Sequence, residues 1–134
     1  MKVSRYRNTG INLIILFVFF SVNCQLLTST TGEITSPNYP DEYQNDLSLS
    51  LIIEVPEAVY LRIHFDAFDV ESDSDRLYYG IGRQTYYVTG TMIPGDIVIH
   101  PGNRVWFYFE TNESVTLTGF SLTWSSTGCM SEGK

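Results

Sequence analysis

The feature that most constrains this chain is a strict alternation of apolar and polar side chains from Val59 to Asp66. Val59, Leu61, Ile63 and Phe65 interleave with Tyr60, Arg62, His64 and Asp66. A period of two puts each set on its own face of a strand, whereas a helix would scatter both around its axis. The pattern recurs. Leu49, Leu51, Ile53 and Val55 interleave with Ser48, Ser50 and Glu54 until Pro56, and Val105, Phe107 and Phe109 interleave with Trp106 and Tyr108. Shorter strand-like runs fall at 32–36, 77–81, 85–88, 97–99 and 120–124, with turns at Pro37-Asn38 and Pro101-Gly102-Asn103. Eight or so short strands without helical periodicity or internal repeat predict an all-β sandwich.

The N-terminus reads differently. Lys2, Arg5 and Arg7 precede an apolar run, Ile11 to Val22, interrupted at Asn12. This layout predicts a secretory signal peptide over 1–24, a domain over 25–126 and a polar tail over 127–134. A short membrane anchor is the competing reading, but the run is brief for a bilayer span. A cut after Cys24 leaves Cys129 as the one thiol; a cut one residue earlier keeps Cys24 and allows a bridge between the domain's ends. Neither case supplies a disulfide framework, so the core must hold by packing.

Three of the eight basic residues lie in the leader and all fifteen acidic ones beyond it, so the processed chain is strongly acidic. That excludes general nucleic-acid binding, which needs basic surface to displace counterions. It favours cations or basic protein patches as partners. The acid concentrates after Phe65: Asp69, Glu71, Asp73 and Asp75 crowd one loop. Such a loop folds cheaply only if it is solvated or a cation sits among the carboxylates.

Catalytic signatures are missing. No G-x-S-x-G, HExxH, Gly-rich phosphate loop or Cys/His metal spacing occurs. His64 and His100 sit on separate strands as surface or core-edge residues. Asp66, Asp69 and Glu71 could be drawn as a glycosidase acid pair, but nothing else suggests a sugar cleft. Tyr78, Tyr79, Tyr86 and Tyr87 come as strand pairs facing opposite ways, so half are expected to pack inward and half to offer a contact patch. Asn112-Glu113-Ser114 is the one N-x-[ST] sequon, which makes Asn112 a glycosylation candidate.

Gly32-Glu33-Ile34-Thr35-Ser36-Pro37-Asn38-Tyr39-Pro40 followed by Tyr43, then FDAFDVESDSD at 65–75, Ile93-Pro94-Gly95-Asp96 and FETNESVTLTGF at 109–120 occur in that order. Together they resemble a CUB domain over roughly Gly32 to Ser125. The resemblance implies a CUB-type jelly-roll β-sandwich of two antiparallel sheets, in a secreted, extracellular binding module that is not an enzyme. Such modules serve complement and developmental proteases, endocytic receptors and single-domain spermadhesins. It also implies a Ca²⁺ site with Glu71 and Asp75 as carboxylate ligands, Tyr43 bracing Glu71, and a backbone oxygen near Ser114. The family's late Asp falls on Asn112, which removes one charge and implies weaker binding. A glycan on Asn112 would crowd that site, so the two readings compete. The family's two disulfides are absent, with Leu49 and Leu51 standing where its second Cys and nearby Trp would lie.

The function expected from this reading is Ca²⁺-assisted binding of an extracellular protein, through loops that could pair with its Lys or Arg. The alternatives are a spermadhesin-like glycan binder and the N-terminal piece of a mosaic extracellular protease or receptor.

Overall fold

The computed structural model describes the backbone at 3–8 and 11–16 and the chain from 24 to 128. Cys129 lies outside the described residues. Among the described residues eleven strands are seen: β1 (Val3–Asn8), β2 (Ile11–Leu16), β3 (Cys24–Leu27), β4 (Thr31–Thr35), β5 (Ser48–Glu54), β6 (Ala58–Asp69), β7 (Arg76–Ile81), β8 (Gln84–Val88), β9 (Ile97–Ile99), β10 (Arg104–Glu110) and β11 (Gly119–Gly128). They form two sheets, ordered β2-β1-β4-β11-β6-β9 and β3-β5-β10-β7-β8. Among the described residues no helix is long and apolar enough to cross a membrane.

Alternation in the sequence becomes layering in space. Leu61, Ile63, Phe65 and Phe68 of β6 and Leu122 and Trp124 of β11 face Ile53, Leu77, Val105, Phe107 and Phe109 of the opposite sheet, all buried. Removing such side chains from water stabilises by roughly 1.5–3 kcal/mol each, which is how the sandwich coheres. Every pairing is antiparallel except that of β3, which runs parallel to β5.

Three local expectations change. A strand precedes the first strand-like run read at 32–36, because Leu27 is buried and lies in β3. Val59 points outward and Ala58 inward, where the β6–β11 register shifts between Thr127 and Gly128. The pairing with β6 runs through Gly128, so the first two residues of the polar tail expected over 127–134 belong to β11. The β1–β2 hairpin falls within the stretch that the sequence marks as a leader, and it registers on β4 through Tyr6 and Ile34.

Candidate functional site

The acidic loop joins the end of β6 to the start of β7 at one end of the sandwich. Its four carboxylates do not crowd a common point. Asp69 accepts the Thr118 hydroxyl at 3.0 Å, and Asp73 turns to solvent with its φ at 65°, a conformation aspartate tolerates better than most residues. Asp75 alone is fully buried.

A buried carboxylate needs hydrogen bonds, and Asp75 has two long-range ones. The Tyr43 hydroxyl donates to its Oδ2 at 2.6 Å, and the Asn112 N–H donates to its Oδ1 at 2.8 Å. Tyr43 also accepts the Glu71 N–H at 3.1 Å, so one phenol ties both acidic positions together. Its ring is fixed edge-on against Phe109, centroids 5.2 Å apart. Burial, and then the bond to Asp75, push the phenol well above the ordinary tyrosine range, keeping it a neutral donor.

Four of the expected residues therefore meet: Tyr43, Glu71, Asp75 and Asn112. Ser114 is drawn in only through its N–H, which donates to Asn112 Oδ1 at 3.0 Å. Sequence reasoning missed the threonines. The Thr89 hydroxyl shares its one proton between the Glu71 and Asp75 carbonyls, at 3.0 and 2.7 Å, and accepts the Asp73 N–H at 3.0 Å. Thr111 Oγ1 accepts the Leu47 N–H and reaches the Gln44 carbonyl, both at 2.8 Å. Asp46 donates its N–H to the Asn112 carbonyl at 2.7 Å. Lone threonines carry no pattern, so only the fold reveals them.

Three observations bear on a cation here. Glu71 Oε2 is buried and has no hydrogen-bond partner, as a ligand oxygen awaiting a cation would be. Against it, the Asn112 amide oxygen is engaged with Ser114. Among the described residues no three His, Cys, Asp or Glu side chains gather as a metal cluster. A hard cation would find here one unpartnered carboxylate oxygen, Glu71 Oε2, and a second carboxylate, Asp75, whose two oxygens already accept hydrogen bonds.

The other sequence candidates lie elsewhere. His64 Nδ1 sits 2.7 Å from Asp96 and its Nε2 3.8 Å from Asp66, both carboxylates. Arg62 joins Asp96 through Nε at 2.6 Å. The His64 bond, and then the Arg62 bond, hold Asp96 below the ordinary aspartate range. This is an exposed charge cluster on the outer sheet face. The tyrosines divide otherwise than expected: Tyr79 packs toward the core, Tyr78 is half-buried, and Tyr86 and Tyr87 are exposed.

Comparison with known proteins agrees with this architecture. The family model described as CUB domain matches residues 23–124. Fibropellin-1 of Strongylocentrotus purpuratus is 28% identical over 121 residues, 82% of this chain and 11% of fibropellin-1. Cubilin of Homo sapiens is 30% identical over 114 residues, 76% of this chain and 3% of cubilin. The chain thus spans a small fraction of these relatives. The solved MASP-1 CUB2 domain bound to Ca²⁺ superposes with a TM-score of 0.69 at 26% identity, covering 75% of this chain and 96% of that one. The extracellular region of zebrafish Gpr126/Adgrg6 gives 0.73 at 26% identity, covering 82% of this chain and 15% of that region. By family match, fold and strand order together, this chain belongs to the CUB domain family.

Proposed function

We propose that this chain is a secreted, non-catalytic module that binds an extracellular protein through the loop end bearing Tyr43, Glu71, Asp75 and Asn112. CUB domains are in general binding modules of extracellular mosaic proteins, which supports the class of function. The observation that carries the choice of face is the buried, unpartnered Glu71 Oε2 beside a carboxylate already held by Tyr43. Ca²⁺ at Glu71 and Asp75 would neutralise both carboxylates and stiffen the loops, leaving exposed acids to meet a Lys or Arg of the partner. Secretion follows in this reading from removal of 1–24 as a leader.

Thermal unfolding of the unglycosylated chain, in Ca²⁺ and then in chelator, tests the proposal. Saturation at about a hundredfold over Kd adds roughly 2.7 kcal/mol. That raises the midpoint by about ten degrees for a domain of this size. The rise must vanish in Glu71→Ala. No rise in the parent chain removes Ca²⁺ from the proposal and returns Asn112 to its role as a glycan acceptor, which mass measurement before and after enzymatic deglycosylation reads directly. Glycan binding by the outer aromatic face has weaker support. Tyr78 is tilted 52° to Tyr87 and 35° to Tyr108, and the Arg76 guanidinium lies over Tyr87 at 5.1 Å, so the rings form no open flat platform.

A further inference from the structure

β8 ends its sheet, and among the described residues nothing pairs with its outer side. Its sequence, Gln84-Thr85-Tyr86-Tyr87-Val88, is uncharged, aromatic and β-branched, with no proline or bulge to discourage pairing. Natural edges usually carry such protection, and this one does not. The hairpin from β7 turns through Gly82 and Arg83, Gly82 at φ 60°, and closes on the Ile81–Gln84 pair. From that closing pair the hydrogen bonds to β7 alternate, so Thr85 and Tyr87 turn their N–H and C=O groups to the open edge. Beneath the edge lies a cleft of about 460 Å³, lined by Tyr79, Ile81, Tyr86, Val88 and Val98 among others. Of these, Tyr86 and Val98 are exposed.

Charge decides what fits. From Ile81 to Gly95 this acidic chain has no Asp or Glu and one basic residue, Arg83. Arg83 stands just before β8. Just after β8 stands Thr89, whose hydroxyl holds the N–H of exposed Asp73 at 3.0 Å. The strand is therefore neutral in the middle, with Arg83 at one end and, at the other, exposed Asp73 beside Arg76, which donates to the Asp73 carbonyl at 2.9 Å and lies over Tyr87. Two such strands laid antiparallel bring Arg83 of each copy to Asp73 of the other.

We infer that the free edge of β8 is the seam of a homodimer, in which two copies pair β8 antiparallel about a two-fold axis at Tyr86. In that register Thr85 of each copy opposes Tyr87 of the other, and Arg83 opposes Thr89 and so meets Asp73. Each salt bridge occurs twice by symmetry. The paired edges join two five-stranded sheets into one, and the Tyr86 rings close over the two clefts.

Sedimentation of the full chain, with reductant and chelator present, tests this without reference to Ca²⁺ or to Cys129. The expected result is a reversible monomer–dimer equilibrium. Arg83→Glu and Asp73→Lys each weaken it about tenfold or more, and the double variant restores it. A chain that stays monomeric up to millimolar concentration overturns the inference. So does a dimer that neither reversal weakens, or one that the double variant fails to restore.

Discussion

Replacing Tyr43 with Phe isolates one oxygen at the centre of the candidate site. The ring stays, with its edge-on contact to Phe109, so packing changes little. What goes is a 2.6 Å bond to a fully buried carboxylate and the acceptor for the Glu71 N–H. A hydrogen bond to a charged group contributes about 1.5–3 kcal/mol, and an orphaned buried amide costs about 1 kcal/mol or more. Asp75 would keep only the Asn112 N–H. The expected loss is therefore roughly 3 kcal/mol, or about 12–25 degrees in the midpoint for a domain of this size. Urea unfolding in chelator measures it, with a lower midpoint and an unchanged slope as the signature of a lost native interaction. A loss below about 1 kcal/mol would refute the claim that Tyr43 is what makes a buried Asp75 tolerable.

The same phenol sets an alkaline limit. Its folded pKa lies above the ordinary 10.0, so its contribution is complete below pH 10.0 and is lost as pH rises above that toward the folded value. Stability measured across that window should fall more steeply in the parent chain than in Tyr43→Phe. Gly119→Ala should destabilise by about 3 kcal/mol or more, read as a lower urea midpoint. Gly119 has φ +84°, and an added Cβ would lie 1.9 Å from Ser36 Oγ, the atom that accepts the Phe120 N–H at 3.0 Å. Leu51→Ala should cost about 2 kcal/mol, the low end for such truncations because Leu51 is only half-buried. Leu51 lines a cavity of about 20 Å³ with Leu49, Leu77, Phe107 and Phe109, so apolar packing occupies the region where the family pattern would place sulfur.

β6, β9 and β10 could be read from the sequence because their inward residues recur every second position over most of their length. β3 could not, since only Leu27 of its four residues is buried. Of the site, Tyr43, Glu71, Asp75 and Asn112 were visible through the family pattern, which records positions that meet across 28 to 37 intervening steps of chain. Thr89 and Thr111 were not visible. Their hydroxyls act on backbone groups 14 to 67 positions away, and a backbone partner leaves no mark on residue identity. The β8 edge was hidden for a different reason. Its two tyrosines look like one inward and one outward residue until the sheet is seen to end there.

This acidic loop is ordered without a matching set of cationic side chains. Neutral donors hold it: the Tyr43 hydroxyl, the Asn112 N–H and the Thr89 hydroxyl all converge on Glu71 or Asp75. The frame is thus built before any cation enters, and what it lacks is a third carboxylate. Asn112→Asp supplies one without changing shape, since Asp can still accept the Ser114 N–H. Without metal, the new charge sits beside Asp75 and should destabilise by roughly 1 kcal/mol. With Ca²⁺, charge count favours the ion, and affinity should rise by about tenfold. The substitution also deletes the sequon, so glycosylation cannot confuse the comparison. Opposite shifts of the unfolding midpoint in chelator and in Ca²⁺ are therefore expected. Shifts of the same sign would mean that residue 112 does not face the cation, and the acidic loop would then be a hydrogen-bonded turn and nothing more.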